Sequence, residues 1–191
     1  MRWKNGGGET IEIAKYPPNA DLDAFGWRIS MATVGSDGPF SAFPGVERTL
    51  CVLSGAGISL TVGNSDPVKL ESKSAPFSFP ADAPATAHLI DGPITDFNVM
   101  TRRSAWRHTA RKVQTAAGAV LTIDNSAAHT IVFCRSGAFE TGIGIAIASL
   151  AANATLWLER GGDPWTLWSV ESGALLIVQI DAAQREPTIC V

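Results

Sequence analysis

The chain has 191 residues, enough for one compact domain or two small fused ones. Hydrophobic residues make up 46% and charged residues 17%, a balance that supports a real core and excludes a disordered chain. The net charge of -3 argues against a nucleic-acid partner, because phosphate neutralisation needs a surplus of Lys and Arg.

In chain order, Met1, Arg2 and Trp3 lead into a glycine run with no apolar stretch, which predicts no signal peptide. Period-two alternation then predicts strands over 10–14, 27–34, 48–53, 58–62, 68–72, 96–101, 107–115, 120–123, 130–134, 155–159 and 175–180. Turn residues punctuate them, as at Gly55, Gly57, Asp66–Pro67 and Asp91–Gly92–Pro93. Residues 19–25 are a weak helical candidate, and 142–152 could be helix or strand by periodicity. The longest apolar run, 143–152, is too short to span a bilayer. Many short strands with frequent turns read as a sandwich or barrel.

A loose internal repeat supports two similar halves. Gly55 and Gly137 correspond at one offset, Asp82 with Asp163 and Gly92 with Gly173 at another, and 94–99 faces 175–180. In that register Asn98 matches Gln179 and Asp96 matches Ile177, so the first half is the more polar and should hold any pocket. The expected division is 1–103 and 104–191, packed as one compact unit. Cys51, Cys134 and Cys190 are odd in number and far apart, which predicts reduced thiols in a reducing compartment, the cytoplasm. The basic residues Arg102, Arg103, Arg107, Arg111 and Lys112 read as a solvated strand face.

Three stretches could carry chemistry. Residues 38–55, GPFSAFPGVERTLCVLSG, have the outline of the first cupin motif, yet Pro44 and Val46 fall near the places of its two metal-binding His, and Arg48 falls where its Glu would be. No metal or other cofactor is therefore expected, and His88, His108 and His129 each stand alone. Arg48 shares strand parity with Leu50 and Val52, so it points inward if they do, and a buried guanidinium needs an acid or an anionic ligand. The alternatives are an ion pair with Glu47, Asp82, Asp91 or Asp96, or an Arg reaching the rim. The segment WKNGGGET (3–10) could form an anion-binding nest or a flexible tail. In DFNVMTRR (96–103), Asp96, Asn98 and Met100 share one face, Phe97 and Val99 the other.

WKNGGGET, WRISMATV, GPFSAFPGVERTL, the turn at 77–82 and DFNVMTRR together resemble the HutD/Ves family, strongly and in order across the first half. The resemblance implies an all-β double-stranded β-helix of two cupin-like barrels, a bicupin. For the HutD branch it implies a bacterial role beside the enzymes of histidine utilisation, binding an intermediate such as urocanate or formylglutamate. The Ves branch is associated with cold-related stress. Carried over by position, the expected ligand-binding residues are Trp3, Asn5, Gly6, Gly7, Ser41, Phe43, Arg48, Phe97 and Asn98. Arg48 would hold a carboxylate, Asn5, Asn98 and the amides of Gly6 and Gly7 would read polar atoms, and Trp3, Phe43 and Phe97 would form apolar walls. The expectation is a small-molecule binder without catalytic residues, with no nucleic acid or membrane partner and a homodimer by base rate. The alternative is a metal-independent isomerase or hydrolase in which Asp96 or Glu47 serves as general base.

Overall fold

A computed structural model describes residues 3, 7–143, 146–161 and 163–183. The first nine strands are β1 (Gly8–Tyr16), β2 (Trp27–Val34), β3 (Gly38–Pro39), β4 (Val46–Ser54), β5 (Ile58–Val62), β6 (Val68–Leu70), β7 (Phe77–Pro80), β8 (Ala85–Leu89) and β9 (Ile94–Arg102). Eight more follow: β10 (Trp106–Thr115), β11 (Val120–Ile123), β12 (His129–Ser136), β13 (Ala138–Ile143), β14 (Ala146–Ala151), β15 (Thr155–Glu159), β16 (Trp165–Ser169) and β17 (Gly173–Ala182). No described residue is helical. The candidate helix at 19–25 is a series of turns, squeezed between Pro18 and Gly26, and the ambiguous 146–151 is strand. Residues 77–82 begin as strand β7 and only then turn.

The strands form four antiparallel sheets: β1-β2-β9-β4-β7, β3-β8-β5-β6, β10-β17-β12-β15 and β11-β16-β13-β14. The first two sheets, and again the last two, enclose a core of their own. Val34, Leu50, Val52, Ile58, Leu60 and Ile94 fill the first; Ile123, Val132, Phe139, Leu167, Leu175 and Ile177 are prominent in the second. A third cluster lies between the two halves, where Phe97, Val99, Cys51 and Ile29 meet Phe133, Ile131, Val178 and Ile180. This explains why β4 and β9 are buried on both faces while β10 runs along an edge with largely alternating half-buried and exposed residues. His129 helps close the seam, its ring 5.1–5.7 Å from those of Tyr16, Trp27, Trp106 and Trp157. Cys51 and Cys134 are buried free thiols, and burial pushes Cys51 up to about 12.

The halves repeat strand for strand, with β2, β9, β4 and β7 matched by β10, β17, β12 and β15. Strand pairing corrects the register by two residues. A bulge interrupts β4 between Val52 and Ser54 opposite Asp96 and Thr95; its counterpart interrupts β12 between Cys134 and Ser136 opposite Leu175 and Ala174. Asp96 therefore corresponds to Leu175, Asn98 to Ile177, and Arg48 to Thr130. The polar group at these positions belongs to the first half alone.

Gly55 and Gly137 do correspond, at φ +90° and +84°. A Cβ on Gly55 would stand 2.6 Å from the Pro93 carbonyl oxygen, and one on Gly137 would stand 2.7 Å from Gly173 Cα. Adding left-handed strain to a backbone clash, Gly55→Ala should destabilise the fold by about 3 kcal/mol, read from urea unfolding.

Candidate functional site

The site lies on the inward face of the first sheet. Arg48 on β4 and Arg28 on β2 both stand opposite Met100 on the intervening β9. Their backbones are thus about 10 Å apart, two strand spacings. Along the same face, Asn98 lies between Ser30 and Leu50, and Asp96 between Ala32 and Val52. Arg48 faces inward with Leu50 and Val52, as parity requires.

Arg48 is 8% exposed, Asn98 3% and Asp96 0%. Arg48 donates from Nε (2.8 Å) and Nη2 (2.5 Å) to Asn98 Oδ1. Asn98 Nδ2 donates to Asp96 Oδ1 at 2.6 Å. The amide thus connects a buried cation to a buried carboxyl that it does not touch. Of the acids considered as Arg48 partners, Glu47 and Asp82 face Arg103 instead. Asp96 Oδ2 has no hydrogen-bond partner among the described residues. Burial pushes Asp96 up to about 6, against the pull of Arg48, Asn98 and the Ala32 amide. Burial also lowers the Arg48 pKa, Asp96 opposes that, and Arg28 adds to it.

Aromatic rings cover the guanidinium. Arg48 Cζ lies 4.3 Å from the Phe40 ring centre and 5.7 Å from that of Phe79. Arg28 donates from Nε to Glu12 at 2.8 Å, and Lys15 meets the same carboxylate at 3.0 Å. Arg48 Nη1 and both Nη atoms of Arg28 have no hydrogen-bond partner among the described residues, which leaves one nitrogen of Arg48 and the terminal fork of Arg28 able to receive an anion.

Not every residue expected in the site reaches it. Trp3 packs against the first-half core, its indole donating to Thr10 at 2.8 Å. The Gly7 carbonyl accepts from the Gly35 amide at 2.8 Å. Asn5 and Gly6 lie outside the described residues. Ser41 is exposed. Phe43 packs with Phe25, Val46, Ala81 and Met100, so it approaches the site only through Met100. Phe97 is on the wrong face: it is fully buried in the seam, with its ring 5.0 Å from Phe133. It therefore does not border the Arg48 face. Sequence reasoning missed Phe40, Phe79, Arg28 and Glu12. Arg28 and Glu12 alternate with apolar neighbours, a pattern that ordinarily marks the solvent side of a strand.

A metal ion of the kind cupins hold needs several imidazole or carboxylate donors. This face does not fit one: its carboxylates, Asp96 and Glu12, each lie near a guanidinium, and no group of three His, Cys, Asp or Glu among the described residues could hold a metal. His88 faces Asp37 at 3.1 Å. His108 is held between Thr49 (2.7 Å, Nε2) and Thr101 (2.8 Å, Nδ1), and burial lowers its pKa to about 4. The basic residues do not share one face either. Arg102 and Arg103 bind backbone carbonyls and Asp82, whereas Lys112 binds Ser72 and Ser74 carbonyls between the halves.

Asp96 and His108 have opposite effects on stability. Asp96, raised from 3.8 to about 6, contributes stability that is present below the unfolded value and lost as pH rises through 6. His108, lowered from 6.5 to about 4, contributes stability present above the unfolded value and lost as pH falls through 4. Between pH 4 and 6 the two largely offset. In Asp96→Asn only the histidine remains of the pair, so stability from pH 6 to pH 4 should fall by about 2–3 kcal/mol more than in the wild type. Urea unfolding across that range measures it; parallel curves would contradict the Asp96 assignment.

The two-sheet halves and their paired symmetry define a cupin-like β protein. The Cupin 2 conserved barrel domain protein of Leptotrichia buccalis has the same fold, with a TM-score of 0.59 at 10% identity over 95% of this chain and 92% of its own. The HutD family model matches residues 1–177, and the chain belongs to that family. Protein Ves of Cronobacter sakazakii is 38% identical over 139 residues, 72% of each chain. HutD of Pseudomonas fluorescens SBW25 superposes with a TM-score of 0.79 at 29% identity, over 95% of this chain and 92% of its own. A Pseudomonas putida protein described as an uncharacterized 21.2 kDa protein in the hutC 3′ region is 38% identical over 107 residues, 56% of this chain and 55% of its own.

Proposed function

We propose that the protein is a non-catalytic, cytoplasmic binder of a small carboxylate metabolite that regulates histidine utilisation, with urocanate and formylglutamate as candidate ligands. The observation that carries this reading is Arg48: a buried guanidinium held by a neutral amide, with one nitrogen unengaged among the described residues and Phe40 over its face. A ligand carboxylate there would accept from Nη1, while Arg28 supplies a second cation on the same row. The family membership and the hutC-region relative support the metabolic setting. The binding group consists of Arg48, Asn98, Arg28 and Phe40, with Trp3 and Gly7 towards the other end of the same sheet face.

Calorimetric titration tests this with urocanate, formylglutamate and the primary amide of each. Saturable binding of an acid but not of its amide is the expected result. Equal binding of acid and amide, or no heat from folded protein, would overturn it. The enzymatic alternative would use Asp96, raised towards neutrality, as a general base. Conversion of either acid during a long incubation, followed by NMR and abolished in Asp96→Asn, would favour that alternative.

A further inference from the structure

A cavity lies where the two halves meet, on the other face of the first sheet from Arg48. It has a volume of about 880 Å³, the size of a metabolite site. Met31, Leu53, Ser54 and Thr95 line it from the first half, and Lys112, Gln114, Arg135, Ser136 and Asn153 from the second. Lys73 completes the wall from the turn after β6. Three cations thus face one cavity, and no Asp or Glu lines it among the described residues. This occurs in a chain of net charge -3.

The two β-bulges build this cavity. Leu53 is the extra residue in β4 and Arg135 the extra residue in β12, at corresponding places in the two halves. Bulges free backbone groups from the ladder and re-aim side chains. Here the freed Leu53 carbonyl accepts from Arg135 Nη2 at 2.7 Å, so the bulge in the first half is completed by the extra residue of the second. Arg135 Nη1 also reaches the Ser72 carbonyl at 3.1 Å. Lys112 Nζ reaches the carbonyls of Ser72 (3.1 Å) and Ser74 (2.6 Å).

These bonds fix the cations in place without exhausting them. A guanidinium has five N–H groups and an ammonium three. With two of each engaged, three remain on Arg135 and one on Lys112, and Lys73 is exposed with no partner among the described residues. Lys112 and Arg135 are close enough to repel, and burial together with that repulsion lowers the Lys112 pKa. A single negative charge would neutralise one cation of three. The amides of Gln114 and Asn153 and the hydroxyls of Ser54 and Ser136 add neutral contacts.

We propose that this cavity is a second ligand site, distinct from the Arg48 face, that takes a small polyanion, a phosphorylated or polycarboxylated metabolite. Positive charge concentrated in a low-dielectric cleft draws such ligands in and makes binding salt-dependent. Titration of the whole protein at low ionic strength with pyrophosphate, and separately with citrate, tests it. One saturable site per chain is expected for at least one anion, weakening as salt is added. Binding of pyrophosphate alone would identify a phosphoryl ligand, of citrate alone a polycarboxylate, and of both a site selecting on charge. Lys73→Glu and Gln114→Glu alter exposed wall positions, and each should weaken binding at least tenfold. The proposal is overturned if neither anion saturates, or if neither substitution changes the affinity.

Discussion

Arg48→Met should abolish carboxylate binding, lowering affinity for the tightest-binding acid at least a hundredfold, about 3 kcal/mol. The side chain is replaced by one of similar length, so most of the volume between Phe40 and Phe79 remains filled. What disappears is the charge and the fork. Arg48→Lys keeps the charge but presents a point donor in place of a planar one, and it should bind roughly tenfold more weakly than wild type. The Met variant also leaves Asp96 buried without the cation that stabilises its ionised form. Asp96 should then titrate above 6, and the loss of stability with rising pH should continue to a higher pH than in wild type. Calorimetry measures the first effect and urea unfolding across pH the second. Unchanged affinity in Arg48→Met would remove Arg48 from the binding site.

Phe97→Ala should have the reverse profile. Phe97 is fully buried between the halves against Phe133, and truncation should cost about 3–5 kcal/mol of stability. It lies on the opposite face of β9 from Asn98, so carboxylate affinity of the folded fraction should change by less than about threefold, an effect below ~1 kcal/mol. Chemical unfolding and calorimetry at low temperature separate the two readouts. Loss of affinity with stability retained would return Phe97 to the pocket.

The contrast between Arg48 and Phe97 shows what the sequence could reveal. Alternation located most long strands, and parity with Leu50 and Val52 correctly sent Arg48 inward. Parity also separated Phe97 from Asn98, but it could not say which face of β9 meets the pocket. Both faces are covered, one by the first core and one by the second half. Arg28 failed for the complementary reason: a polar residue between apolar ones normally signals solvent, and only strand pairing shows it turned in, with the exposed Glu12 beside it. Phe40 precedes a serine and lies in no long strand, so nothing in the local pattern predicts its position over a guanidinium. The repeat was legible through Gly55 and Gly137, because their positive φ allows little substitution. The register error in β9 and β17 arose because the stretch from Val52 to Asp96 is longer than its counterpart from Cys134 to Leu175, so one offset cannot serve both pairs of strands.

The duplicated fold also shows that one half alone carries the buried polar group. Where the first half has Arg48, Asn98 and Asp96, the second has Thr130, Ile177 and Leu175, with the two aliphatic residues in its core. An apolar interior stabilises without a ligand, at about 1.5–3 kcal/mol per large side chain buried. A buried guanidinium and carboxyl oppose that trend, and Asp96 Oδ2 lacks a partner among the described residues. The second half therefore supplies stability through its core and the shared seam, while the first tolerates a polar interior.

The most direct test is a crystal structure of the protein with the acid that binds it most tightly. The carboxylate should lie on the inward face of the first sheet, one oxygen within about 3 Å of Arg48 Nη1. An ordered acid elsewhere, with Arg48 still bound only to Asn98, would contradict the assignment of that face as the binding site.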